Sequence, residues 1–184
     1  MLLWGGAYAI SYALKILLFW ITNKLARWMP YLKSSRSKFA FAAMAVAIGF
    51  LVYFSTFTGG YKTASIWGFG MFSIYVIYWL KTKDKIFGRI ILFAITAGFA
   101  ELFADAYLVN VTDTLVYPSP EPTLWESPAY MPFSWAVVLI QIGYIAWLLQ
   151  GKLGVWKDGL MMVAFSALLI PLYENFAIHE GWWS

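Results

Sequence analysis

Six long apolar runs, separated by more polar connections, constrain this chain more than any other feature of its sequence. They lie near residues 2–22, 39–57, 63–80, 86–108, 132–150 and 159–178. Each has close to the roughly 20 residues with which an α-helix crosses the hydrocarbon core of a bilayer. Inside a bilayer the backbone must pair its own polar groups, and the alternating strands of a membrane barrel are missing from the sequence. We therefore predict an all-α, polytopic membrane bundle of about six transmembrane helices.

The composition agrees with a membrane protein and excludes several classes of function. Of the 184 residues, 62% are hydrophobic and 12% are charged, against roughly 45–50% and 25% in soluble domains. We predict one transmembrane domain over residues 1–184. Cysteine is absent, which excludes disulfides, thiolate catalysis and cysteine-ligated metals. The cations lie between apolar runs, where they report topology, so we expect no nucleic acid partner.

Basic residues are distributed unevenly between the connections. Eleven of the thirteen lysine and arginine residues lie in or beside the first, third and fifth connections. The second and fourth contain Lys62 as their only cation, against Asp113, Glu121 and Glu126. Cytoplasmic loops carry an excess of Lys and Arg, so this bias puts both termini on the non-cytoplasmic side. We expect an integral, multi-pass protein of a cell inner membrane or an organelle membrane.

One long connection, residues 109–131, is rich in proline. It contains Pro118, Pro120, Pro122 and Pro128. Because proline fixes its own φ angle, a segment with this many prolines is stiff. We expect this outer loop to form an ordered cap over the bundle.

Formal charges inside the predicted spans are confined to three of the six runs. Lys15 lies in the first, Glu101 and Asp105 in the fourth, and Glu174 in the sixth. A charge at the bilayer centre costs roughly 3 kcal/mol or more, so such residues face the bundle interior and either pair or function. Glu101 and Asp105, four residues apart, share one helical face. At about 1.5 Å per residue, Asp105 and Glu174 reach the same depth, and Lys15 comes within reach of Glu101 as a structural ion pair.

Further polar side chains lie in the outer half of the predicted bundle. Pro171 precedes two of them and is expected to kink the last helix. We predict that this set binds substrate in a cavity that it shares with the acids, beneath the proline-rich loop. The candidate substrate-binding residues are Tyr107, Gln141, Tyr144, Tyr173, Asn175 and His179.

Several carboxylates in a site of low dielectric constant favour acid–base chemistry. Because close carboxylates repel each other when charged, one keeps its proton and acts as a general acid while another serves as base or stabilises a cation. We predict that Glu101, Asp105 and Glu174 are catalytic in a small membrane enzyme of the isomerase, cyclase or lyase type. Its reaction would be protonation, isomerisation, hydration or cyclisation of a lipid or isoprenoid, with aromatic walls stabilising a carbocation. The general plan of a small helical bundle with intramembrane carboxylates is similar to that of integral-membrane terpene cyclases.

Two other classes of function remain open from the sequence. In the first, the acids and Lys15 have a purely structural role and hold the helices together. The protein would then be a non-catalytic accessory subunit whose aromatic exterior contacts other membrane subunits. Buried acids also form the proton relays of transporters, although no inverted repeat is visible. A carboxylate site with His179, the only histidine, is a weaker interpretation. We therefore predict no metal and no cofactor.

Overall fold

The computed structural model describes residues 34–54, 60–117, 122–150, 152, 154–179 and 181–183. Within these ranges the chain forms five helices, all long and apolar enough to cross a membrane. They are α1 (Ser35–Phe54), α2 (Gly60–Thr82), α3 (Lys85–Asn110), α4 (Met131–Leu149) and α5 (Val155–His179). The prediction of an all-helical fold with helices able to span a membrane is confirmed. Five of the six predicted runs match these helices to within a few residues, and the run 2–22 lies outside the described residues.

The chain divides into two units, residues 1–41 and residues 42–184. Of the first unit, the structure describes residues 34–41, which include the beginning of α1. There Ser34 Oγ accepts a hydrogen bond from the backbone N–H of Ser37 at 3.1 Å, so a serine caps the first turn of the helix. All that follows concerns the second unit.

The connection between α2 and α3 is a tight turn whose local chemistry starts α3. Lys83 adopts a left-handed conformation with a φ of 52°, which reverses the chain. The Asp84 carboxylate then accepts hydrogen bonds from the backbone N–H groups of Ile86 and Phe87 at 2.9 and 3.1 Å. A side-chain oxygen at this position satisfies two of the donors that a helix N-terminus leaves unpaired. The turn therefore makes α2 and α3 antiparallel neighbours.

Helix α4 lies at the centre of the second unit and contacts α3, α2 and α5. More than half of its membrane-spanning window, 56%, is buried, against 17% for α5. Two glycines allow the neighbouring helices to approach α4 closely. A Cβ atom on Gly98 of α3 would overlap the carbonyl oxygen of Pro132, and one on Gly68 of α2 would lie 2.6 Å from Ser134 Oγ. Small residues at such contacts are typical of helix packing in membranes.

The connection between α3 and α4, predicted to be an outer loop and called the outer connection below, contains a small antiparallel hairpin. Its strands are β1 (Thr123–Leu124) and β2 (Ser127–Pro128), and Trp125 in the turn has a φ of 59°. The residues of β2 are buried, and this strand contacts α3. The hairpin therefore packs against the outer end of α3, close to the predicted acids.

Candidate functional site

Asp105 lies near the C-terminal end of α3 and is tied to the outer connection. Its side chain is buried, with 4% exposure. The hydroxyl groups of Tyr117 and Ser127 each donate a hydrogen bond to its Oδ2 atom, both at 2.8 Å. The partners come from 12 and 22 residues further along the chain. Asp105 therefore anchors the outer connection to the helix.

Tyr117 is held in its neutral, hydrogen-donating form by this environment. Burial raises the pKa of its hydroxyl far above the usual range, and the neighbouring Asp105 charge and hydrogen bond raise that pKa further. A neutral phenol donates its proton to a hydrogen bond, which suits a carboxylate acceptor. The tyrosine therefore serves as a donor to the carboxylate at neutral pH.

The three predicted catalytic acids lie near enough to one another to interact electrostatically. Glu101 lies one turn before Asp105 on α3, and the two interact electrostatically. Glu174 on α5 interacts electrostatically with both Asp105 and Glu101, and it has a hydrogen-bonding partner in Trp183. Glu101 and Glu174 are half-buried, unlike Asp105. We refer to Glu101, Asp105 and Glu174 as the carboxylate cluster.

A narrow pocket with a cavity volume of about 30 Å³ lies beside the carboxylate cluster and is lined mainly by apolar groups. Glu174 supplies the one carboxylate among the described residues that line this pocket. This cavity volume is well below the roughly 300–1,000 Å³ that small-molecule sites occupy, so the walls must move apart to admit a lipid-sized ligand. Five aromatic side chains form much of the wall, and we call it the aromatic pocket: Trp67, Trp135, Tyr173, Trp182 and Trp183.

The aromatic side chains of the pocket are fixed by contacts with one another and with the backbone. The Trp67 indole N–H donates to the carbonyl oxygen of Ala47 at 3.2 Å, and that of Trp182 donates to Thr63 Oγ1 at 3.1 Å. The ring centroids of Trp67 and Tyr173 are 5.5 Å apart, and those of Trp67 and Trp182 are 5.8 Å apart. With its N–H groups already engaged, this part of the wall offers mainly aromatic surface.

The segment after α5 turns back toward the bundle and completes the aromatic pocket. Gly181 has a φ of 73°, a conformation that glycine adopts without strain. The backbone N–H of Trp182 then donates to the carbonyl oxygen of Ala177 at 3.0 Å. Sequence reasoning did not include the tryptophans here among the candidate site residues. Their sequence spacing gives no indication of a place in the site.

A polar chain crosses the bundle interior behind the aromatic pocket. The Tyr173 hydroxyl donates to Gln141 Oε1 at 2.5 Å, and Gln141 also interacts with the hydroxyl of Tyr75. Gln141 is buried, and its Nε2 atom makes no standard hydrogen bond to the described residues. Of the predicted substrate-binding residues, Tyr173 lines the pocket, and Gln141 contacts it from behind.

The other predicted substrate-binding residues lie elsewhere. Tyr144 is fully buried against the rings of Phe87 and Trp147, with both centroid distances 5.7 Å. Three more are exposed and do not line the aromatic pocket: Tyr107, Asn175 and His179. The predicted ion pair of Lys15 with Glu101 involves a residue outside the described ranges. Among the side chains that the structure describes, no group of three His, Asp or Glu residues is arranged to hold a metal ion.

Comparison with known proteins gives a match to a family model over part of the chain. Residues 102–184 match the model of a family described as a domain of unknown function, DUF6989. The matched segment contains Asp105, its partners Tyr117 and Ser127, and Glu174, whereas Glu101 lies just before it. Neither the curated proteins nor the solved structures contain a match to the chain.

Proposed function

We propose that this chain is a small membrane enzyme that performs acid–base chemistry on a lipid or isoprenoid substrate. The observation that carries the proposal is the position of Glu174, which belongs to the carboxylate cluster and also lines the aromatic pocket. A carboxyl group at an apolar pocket, beside further carboxylates, is a typical arrangement for a general acid. The ligand that fits such walls is apolar.

The two environments of the acids support different roles. Asp105 accepts two hydroxyl hydrogen bonds on one oxygen, which stabilises its anionic form. Glu174 lines the pocket and interacts electrostatically with the Asp105 carboxylate. It is therefore the side chain suited to deliver a proton to the substrate. Glu101, one turn from Asp105, is suited to exchange the proton with Glu174. Positioned acids of this kind contribute rate factors of about 10² to 10⁴.

The reaction that this arrangement favours begins at a carbon–carbon double bond. Glu174 gives its proton to one alkene carbon, and the π electrons form the new C–H bond, which leaves a carbocation on the other carbon. Loss of a proton from a neighbouring carbon to the Glu174 carboxylate completes an isomerisation. Attack by water instead gives an oxonium, which loses a proton to the Glu174 carboxylate and completes a hydration. Attack by a second double bond gives a new carbocation, which loses a proton from a neighbouring carbon to the same carboxylate and completes a cyclisation. Aromatic faces stabilise a cation within about 6 Å, and the aromatic pocket supplies several.

Deuterium transfer to carbon tests this proposal even when the product has not been identified. The protein in nanodiscs is incubated in D₂O with a lipid extract of its own membrane, and the lipids are analysed by mass spectrometry. We expect one lipid class to gain non-exchangeable deuterium, and Glu174→Gln to abolish the gain. The matched control is Asp113→Asn, which neutralises an exposed carboxylate outside the cluster, at a φ of 51° that asparagine tolerates. Absence of carbon-bound deuterium in every lipid class would contradict the proposal.

An accessory subunit is the second candidate, and the hydrogen bonding of Asp105 favours it. A buried carboxylate that joins a loop to a helix through two hydroxyl groups is also what a purely structural residue requires. Under this alternative, Glu174→Gln and Asp105→Asn lower thermal stability together with any function. Under the enzyme proposal, Glu174→Gln loses deuterium transfer while its melting temperature stays within a few degrees of the wild type. Thermal unfolding of the same nanodisc samples separates the two.

We also propose that residues 2–22 form a sixth transmembrane helix, with both termini on the non-cytoplasmic side. The support is the apolar composition of that run and the charge bias of the connections. Because the sequence contains no cysteine, single cysteines can be introduced at Thr82 and Thr114, which are both exposed. Thr82 ends α2 just before α3 begins, and Thr114 lies four residues beyond the other end of α3. An impermeant maleimide should label Thr114→Cys in intact cells, and Thr82→Cys only after permeabilisation. The reverse pattern would refute the orientation.

A further inference from the structure

A basic groove lies where α2 turns into α3, at the opposite end of α3 from the carboxylate cluster. Arg89 and Asp105 are 16 residues apart on one helix, a separation of about 24 Å. The groove is open to solvent and has a volume of about 380 Å³, and its described lining contains three cations and no carboxylate. The residues that line it are Trp79, Lys83, Lys85, Gly88, Arg89 and Leu92.

The backbone and a glycine give this groove its form. Asp84, the acid in the same turn, accepts the two backbone hydrogen bonds that cap α3, so its carboxylate is directed at the helix end. The Trp79 indole lies across Gly88, where an added Cβ atom would come 2.5 Å from the ring nitrogen. Only glycine at this position lets the indole rest on α3. The tryptophan thus forms one wall of the groove, which the cations from the turn and the helix also line.

We propose that this groove binds the phosphate of an anionic phospholipid. Lys83, Lys85 and Arg89 are exposed and supply converging donors that suit phosphate oxygens, Arg89 in a bidentate manner. The position at the ends of two membrane-spanning helices is the depth of lipid headgroups, where Trp is also preferred. Leu92, 67% exposed and about one turn further along α3, provides apolar surface for the acyl chain. This continuation onto apolar surface favours a lipid over free phosphate.

Native mass spectrometry of the purified full chain tests the site by titration with phosphatidylglycerol and, separately, phosphatidylcholine. We expect one molecule of phosphatidylglycerol to bind in preference to phosphatidylcholine. The double variant Lys83→Gln/Arg89→Gln should bind phosphatidylglycerol roughly tenfold more weakly or worse. The control carries the same charge change elsewhere, Lys152→Gln with Lys157→Gln, and should retain the wild-type affinity. An equal loss in both double variants would overturn the proposal, because it indicates attraction by net charge alone.

Two further measurements test the geometry of the groove and the chemical nature of its ligand. Gly88→Ala displaces the Trp79 indole without changing charge, and it should lower the affinity for phosphatidylglycerol several-fold. The matched control is Gly70→Ala, since an added Cβ atom there meets nothing within 4 Å. Inorganic phosphate in millimolar excess should fail to displace the lipid. Displacement by phosphate, or equal affinities for the two lipids, would overturn the assignment to an anionic phospholipid.

Discussion

Replacement of Ser127 by alanine removes one of the two hydrogen bonds that hold the outer hairpin on α3. The Ser127 side chain is fully buried, and its Oγ donates to Asp105 Oδ2 at 2.8 Å. Alanine occupies nearly the same space, so the substitution deletes the bond with little change in packing. Asp105 keeps the donor of Tyr117, so its carboxylate stays partly satisfied and the loss is confined to one bond.

The expected magnitude depends on the charge of Asp105. A hydrogen bond to a charged group contributes about 1.5–3 kcal/mol, and one between neutral groups about 0.5–1.5 kcal/mol. At about 1.4 kcal/mol for each factor of ten, loss of a charged bond raises the open fraction of the hairpin roughly 10- to 150-fold. A neutral bond gives roughly 2- to 12-fold. The measured factor therefore reports whether Asp105 is an anion in the folded protein.

Hydrogen–deuterium exchange measured by mass spectrometry in nanodiscs resolves this effect locally. The reporter is the backbone N–H of Ala129, which donates to the carbonyl oxygen of Pro122 at 2.8 Å and closes the hairpin. Its exchange should accelerate in Ser127→Ala, whereas amides in the middle of α4 should be unaffected.

The matched control for this measurement is Ser134→Ala. Ser134 is also a buried serine, but its Oγ has no hydrogen-bond partner among the described residues. Its removal should leave exchange of the hairpin unchanged and overall stability equal or slightly higher. If Ser127→Ala and Ser134→Ala changed exchange of the hairpin equally, the reasoning that Asp105 anchors the outer connection would be refuted.

Three further predictions follow from the described contacts. In thermal or denaturant unfolding, Gly98→Ala should lower the free energy of unfolding by about 1–3 kcal/mol, because the added methyl group overlaps the backbone of α4. Gly70→Ala is the control and should lower it much less. An equal loss of stability in the two variants would contradict this packing. Tyr173→Phe should cost about 1–3 kcal/mol in the same assay, because it leaves the buried Gln141 carbonyl without its donor. The raised pKa of Tyr117 means that the folded state retains a proton which the unfolded chain loses near pH 10. The contribution of Tyr117 to folding stability is therefore complete below that pH and falls above it. In Tyr117→Phe the free energy of unfolding should decrease less steeply with pH above about 10. An unchanged pH dependence would contradict the raised pKa of Tyr117.

Several elements of the site were predictable because their physical causes are local. Glu101, Asp105 and Glu174 were identified from the sequence since a formal charge within an apolar span is rare and costly. The spacing of four residues also put Glu101 and Asp105 on one face of a helix. The equal depth of Asp105 and Glu174 followed from the rise of a helix, and the two do interact across the bundle.

Other elements depended on which helices are neighbours. Tyr144 shares the polar character of the predicted site, yet it packs between Phe87 and Trp147, because periodicity does not indicate which helix a face meets. The partners of Asp105 lie in the outer connection, at separations with no regular period. Trp182 enters the pocket wall through a turn at Gly181, and a tryptophan near a helix end is in most cases explained by the membrane interface alone.

The sequence by itself determined the helical class, the approximate extents of the described helices and which of those helices carry acids. Each of these follows from the bilayer as a solvent, which acts on every residue through its own polarity and on every segment through its length. Only the tertiary structure decided that Glu174 joins the carboxylate cluster to an aromatic pocket, and that Ser127 and Tyr117 hold Asp105. These contacts join residues far apart in the chain, and they arise from close helix packing at positions such as Gly98, where side-chain volume sets which surfaces meet.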